Sequence, residues 1–259
     1  MGTPINRDRY GVPYLTATEI EDLSKHFLEV MAPEVLTHPT FLPLASVMTR
    51  LSEEHGIKFA LDESLGEDAE GNKYLGWYDV TKRVIVVDAE LLLDDPRFPF
   101  TVAHEIGHWY LHTPIKLDAL GLASEHVFKD TPQTVLMHRK DAPSIHGRIE
   151  WQANRFAAGV LVPRHTLKPA VISCQKGCGI VKNLGTIWID GQRGNRRDHR
   201  WIVTQLSELY QTSRAVVTIR LRELGIAQYK NIGKPPSQLA DLLGTAVDSM
   251  FGGGAEPDL

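Results

Sequence analysis

The stretch F-T-V-A-H-E-I-G-H-W-Y-L-H, residues 100–112, decides how the rest of the chain is read. Its apolar and small residues continue through both histidines, so the spacing predicts a helix over 100–112. On a helix, residues four apart lie about 6 Å apart along the axis and about 40° apart around it. His104 and His108 can therefore reach one point in space. Two neutral imidazole nitrogens plus a third ligand leave one position of a tetrahedral zinc open for water. Glu105 stands beside the first histidine, where it can accept that water's proton. Two core histidines and a stray glutamate would instead bury three costly polar groups without a reason.

The third ligand has to come from elsewhere. His112 shares the spacing but lies about 12 Å from His104 along a continuing helix, too far for one ion. No turn-forming residue follows His108; Trp109, Tyr110 and Leu111 continue the helix. His112 therefore reads as a residue supporting the ligands, facing substrate or ending the helix as a cation. A carboxylate from a second helix is better placed. Glu150 opens the run E-W-Q-A-N-R-F-A-A-G-V-L-V-P, residues 150–163, in which Ile149, Ala153, Phe156, Ala157 and Val160 form one stripe. The helix dipole also favours an acidic residue in a first turn, which is a competing reason for Glu150. Asp118, Glu125, His126, His138 and His146 are the other candidates.

Around this centre the chain reads as follows. Thr18 and Glu21 fit a capping box ahead of a helix to about Met31. Leu44, Val47, Met48 and Leu51 mark a second helix, stopped near Gly56. Residues 57–61 read as a strand; 74–78 and 84–87 read as a hairpin. Residues 113–148, with Pro114, Pro132 and Pro143, read as an irregular excursion with one short helix, and 179–192 as a small hairpin with arms at 180–181 and 186–189. Residues 206–226 have helix-turn-helix spacing, with Leu206, Leu209, Tyr210, Val216, Val217, Leu221 and Leu224 as its core. A last helix is expected near 237–250.

The 259 residues are 42% hydrophobic and 23% charged, with a net charge of −4. That balance gives no global attraction to nucleic acid, so any such contact must be a local patch. Arg214 and Arg220 are the candidate DNA contacts, near a basic cluster at Arg193, Arg196, Arg197 and Arg200. The favoured reading is a helical pair with a solvated charged face. No apolar run is long enough for a membrane span. MGTPINRDRYGVPYL has no apolar signal core, and Cys174 and Cys178 make no disulfide framework, so the expected compartment is the cytoplasm. Of the eleven histidines, six (His104, His108, His112, His126, His138 and His146) fall between positions 104 and 146.

The two motifs at 100–112 and 150–163, preceded by G-W-Y…R-V-I-V-V-D at 76–88, resemble the ImmA/IrrE family of zinc metallopeptidases. The resemblance covers about residues 15–165. It implies one zinc held by His104, His108 and Glu150, with Glu105 as catalytic base. It implies an α+β fold: a compact gluzincin-like domain over 1–165, its small mixed sheet packed on the zinc helix. A helix-turn-helix-like extension over 166–259 would follow. It also implies a protein substrate, a helix-turn-helix repressor whose cleavage relieves repression. The gap from His108 to Glu150 is long for the family, so about 113–148 reads as an insertion. Tyr110, His112, Tyr78 and a histidine of the insertion are the candidates for stabilising the transition state. Oligomeric state is left open.

Overall fold

The computed structural model describes residues 6–67, 71–91, 95–113, 115, 127–130, 144–190 and 192–229. The chain forms two compact units, Met1–Pro33 with Leu42–Leu161, and Glu34–Phe41 with Val162–Leu259. The architecture is mixed α+β.

The first unit begins with helix α1, Ala17–Met31. Its capping box is Thr16 with Glu19, two residues upstream of the expected Thr18 and Glu21. Thr16 Oγ1 accepts from the Glu19 amide and Glu19 Oε2 accepts from the Thr16 amide. Both frames fit S/T-x-x-E; the extended backbone of Thr16 decides between them. Helix α2, Leu44–His55, ends on Gly56 in the left-handed region, φ 66°.

Three strands follow: β1, Lys58–Glu63; β2, Gly76–Asp79; and β3, Val84–Asp88. β2 and β3 form the expected antiparallel hairpin, and β1 runs parallel to β3. Strand β4, Val127–Asp130, pairs antiparallel with β2 and completes the order β1-β3-β2-β4. It lies in the stretch expected to be irregular. Most of 113–148 lies outside the described residues.

Helix α3, Phe98–His112, is buried over nearly its whole circumference. It packs against β2 and β3 and against helix α4, Ile145–Leu161. α4 starts four residues before the expected Ile149. Ser144 explains the shift: its Oγ accepts from the Gly147 amide and its carbonyl accepts from the Arg148 amide. Glu150 is therefore beyond the first turn, and the dipole reason for an acid there does not apply. Ile149, Ala153, Phe156, Ala157 and Val160 are all buried, as the stripe requires. Burying a side chain such as Phe156 contributes about 1.5–3 kcal/mol.

The second unit contains helices α5, Arg164–Gly177; α6, Arg193–Tyr210; and α7, Arg214–Glu223. Its parallel two-stranded sheet joins β5, Ile187–Ile189, to β6, Ala227–Tyr229. Of the expected hairpin, the part at 187–189 is a strand, and its partner is distant rather than local. Val181 is 79% exposed and outside any strand. α6 and α7 are joined through Gln211, which adopts φ 47°, and Ser213, which caps α7. Leu206, Tyr210, Val216, Val217 and Leu221 are buried, whereas Leu209 faces outward. The helix expected near 237–250 lies outside the described residues.

Candidate metal centre

α3 and α4 approach closely enough for their side chains to converge. At Gly107, an added Cβ would meet Phe156 Cδ1 at 3.2 Å and the Ala153 backbone at 3.3 Å. The absence of a side chain at 107 and the small one at 153 bring the helices together. Glu150, one turn before Ala153, then reaches the histidines. His104 Nε2 lies 2.9 Å from His108 Nε2; Glu150 Oε2 lies 3.3 Å from the first and 3.5 Å from the second. Ligands about 2.1 Å from a tetrahedral ion sit roughly 3.4 Å apart, so these separations suit one.

The fit is supported by burial. His104, His108 and Glu150 are 1%, 0% and 0% exposed. Neither Glu150 oxygen accepts a hydrogen bond. A buried carboxylate in that condition is costly unless a cation compensates it. Among the described residues, this is the one group of three or more His, Cys, Asp or Glu side chains arranged to hold a metal.

Glu105 is also fully buried. Room for its carboxylate comes from the sheet. A Cβ on Gly76 would meet Glu105 Oε1 at 3.1 Å, Thr101 Cγ2 at 2.9 Å and the Val86 carbonyl at 3.0 Å. Gly76 falls inside the strand expected over 74–78 and is the first residue of β2 in the structure. A glycine two residues before Tyr78 on a strand preceding the histidine helix was the available signal.

The remaining candidates scatter. Tyr110 lies about 200° around α3 from His108, on the opposite face. Its ring packs against Phe27 and Phe156 at 5.4 and 5.3 Å, so it belongs to the core between α1, α3 and α4. The Tyr78 hydroxyl meets the Thr113 side chain, about 7 Å along the axis beyond His108. Burial raises the pKa of both phenols. Neither tyrosine is placed to stabilise a transition state at this cluster.

His112 is fully buried, its Nδ1 3.1 Å from His108 Nδ1 and its Nε2 2.9 Å from Gln152 Oε1. Burial, followed by the neighbouring His108, holds its pKa well below the ordinary histidine value. It is not a helix-end cation and has no surface for substrate. His146, one turn before Glu150, is 46% exposed with Nδ1 3.9 Å from Glu150 Oε1. Asp118, Glu125, His126 and His138 lie outside the described residues.

Of the two candidate DNA contacts, Arg214 is exposed and Arg220 is fully buried. Arg220 Nε donates to the Val162 carbonyl at 3.0 Å, and its guanidinium sits 3.8 Å from Glu223. The one-letter pattern counted Arg220 as a surface charge; burial removes it from any nucleic-acid contact. Cys174 and Cys178 are free thiols with pKa raised chiefly by burial, which favours the thiol over the thiolate.

Two helices supplying His, His and Glu, with a buried glutamate following the first histidine, define a metallopeptidase-type centre. Comparison with known families agrees. Residues 53–172 match the family model of peptidase M78, described as the IrrE N-terminal-like domain. No curated protein matches the chain.

Proposed function

We propose that the protein is a zinc-dependent endopeptidase that cleaves a helix-turn-helix transcriptional repressor and thereby relieves repression, in a stress-response or mobile-element circuit in the cytoplasm. The observation that carries the reading is the buried His104–His108–Glu150 cluster with Glu105 beside it. One bound zinc per chain would polarise the scissile carbonyl and make an attacking water more acidic. The chain supplies the rest. His104, His108 and Glu150 hold the ion. Glu105 takes the proton from water as its oxygen adds to the carbonyl carbon, then delivers it to the amine as the C–N bond breaks. His146 is the half-exposed donor beside the cluster, and we assign it the hydrogen bond to the carbonyl oxygen. The substrate class rests on the family resemblance. No helix among the described residues is long and apolar enough to cross a membrane.

The test mixes zinc-loaded full-length protein with a helix-turn-helix repressor sought among the products of neighbouring genes. A defined cut is expected, lost with Glu105→Gln and on chelation. An intact repressor held in a stable complex would instead make the protein a sequestering partner. Equal activity of wild type and Glu105→Gln would remove Glu105 from the chemistry.

A further inference from the structure

A line of buried side chains runs outward from the candidate ligands and ends on the N-terminal arm. Gln152, on α4 and fully buried, donates from Nε2 to the Pro13 carbonyl at 2.8 Å. A carbonyl only accepts, so this bond fixes the amide nitrogen of Gln152 toward the arm and its oxygen toward His112. An amide oxygen also only accepts. His112 Nε2, 2.9 Å away, must then carry a hydrogen. His112 Nδ1 faces His108 Nδ1 at 3.1 Å, and one hydrogen lies between them.

Two placements of that hydrogen exist. If His112 carried it as well, His108 Nδ1 would be the acceptor. Neutral His108 would then hold its proton on Nε2, pointing at His104 Nε2 and Glu150 Oε2, with no lone pair for an ion. If His108 Nδ1 carries it, His112 is a neutral acceptor and His108 Nε2 presents a lone pair to the cluster. Only the second arrangement lets His108 be a ligand. Metal-binding histidines are commonly fixed through the other ring nitrogen by a carboxylate or a carbonyl. Here a neutral imidazole does so, and a glutamine in turn fixes that imidazole.

The arm that ends this line is itself anchored on α4. Asp8 pairs with Arg148, whose guanidinium also lies 4.6 Å from the centre of the Tyr14 ring. Asp8 Oδ1 accepts from the amides of Tyr10 and Val12, and Arg7 donates to the Gly11 carbonyl. The Pro13 carbonyl is thus held in place from both sides along the chain.

We propose that His112 and Gln152 are positioning residues that hold His108 in the Nδ1–H tautomer, with the Pro13 carbonyl of the N-terminal arm as the fixed end of the relay. The proposal rests on reading His108 as a metal ligand. Two measurements test it separately from peptidase activity. The first is long-range 1H–15N correlation on full-length protein with 15N-labelled histidine, metal-free and zinc-loaded. Expected is His108 protonated at Nδ1 and His112 at Nε2 in both; a metal-free His108 protonated at Nε2 overturns the relay. The second is zinc affinity by chelator competition. Gln152→Leu fills the same space without an acceptor and is expected to weaken zinc roughly 10- to 100-fold. Gln152→Glu keeps an acceptor toward His112 but loses the donor to Pro13, and is expected to retain affinity within a few-fold while unfolding at lower temperature. Unchanged zinc affinity in Gln152→Leu overturns the proposal. If Gln152→Leu does not fold, the tautomers of the unmodified protein decide. Zinc binding with these tautomers but no cleavage would sink the peptidase reading and leave the relay standing. A chain with these tautomers that takes no zinc would sink the ligand reading instead.

Discussion

Several buried polar side chains of the second unit differ from the buried carboxylate at the candidate metal centre of the first. In the second unit, several are closed by a fixed partner: Arg220 donates to the Val162 carbonyl and the Tyr210 hydroxyl to Thr166. Gln175 bridges the Gly185 amide and the Thr186 carbonyl. In the first unit, a fully buried carboxylate, Glu150, accepts no hydrogen bond and faces the Nε2 atoms of His104 and His108 at 3.3 and 3.5 Å. The same residue classes are structural where the partner is protein and chemical where it is not. Burial of a polar group therefore identifies a site only together with what satisfies it.

The contrast is broken most severely at Glu105. Glu105→Gln preserves shape and burial but removes the proton acceptor. A fall in kcat of about 10²–10⁴-fold is expected, with zinc content and unfolding temperature close to wild type. Loss of zinc together with activity would show Glu105 acting on the ion rather than on water. Glu150→Ala should do the reverse. It removes one of three ligands, so metal analysis after dialysis should find the ion lost while the metal-free fold persists. In the second unit, Arg220→Ala should leave zinc affinity unchanged. It should also destabilise that unit by at least about 1–3 kcal/mol, the cost of stranding a buried carbonyl such as that of Val162. Coupled loss of zinc in Arg220→Ala would mean that the two kinds of burial are not separate.

The helix approach lies between these extremes. Gly107→Ala inserts a methyl against Phe156 and Ala153, and overpacking of this kind costs about 1–3 kcal/mol. If α4 moves to relieve it, Glu150 moves too. Both thermal stability and zinc affinity should then fall. A stability loss with unchanged affinity would show that the contact can relax without displacing the ligand.

What the sequence made legible follows the range of the forces involved. The α3 ligands were readable because a helix fixes His104 against His108 locally. Glu150 was a better candidate than its rivals, but choosing it needed the family resemblance, because α3 and α4 meet through Gly107 and Ala153. Strand β4 was invisible. Its four residues, Val-Phe-Lys-Asp, acquire strand geometry from the ladder with β2 rather than from their own pattern. The same applies to β5, read as half of a local hairpin but paired with β6 far along the chain. Arg220 was misread because letters record charge and not burial. Gln152 was missed because its two partners, His112 and Pro13, are both distant in sequence.

The smallest expected effect concerns His199, where the second unit departs from its own rule. Its Nε2 is buried without a hydrogen-bond partner. Burial, followed by the charges of Arg214 and Arg200, lowers its pKa from the ordinary value. The folded state therefore takes up this proton later than the unfolded chain as the pH falls. Above about 6.5 neither state is protonated and the group has no effect on stability. Below that value the unfolded chain binds the proton first, so folding loses up to about 1.4 kcal/mol per pH unit until the folded pKa is reached. His199→Gln removes the titration. Urea unfolding at pH 7.5 and pH 5.5 should show wild type losing more stability between the two than the variant. His112, also lowered by burial, contributes equally to both proteins and cancels in the difference. Equal losses in the two proteins would place the second unit's acid sensitivity on other groups and return His199 to the ordinary surface histidines.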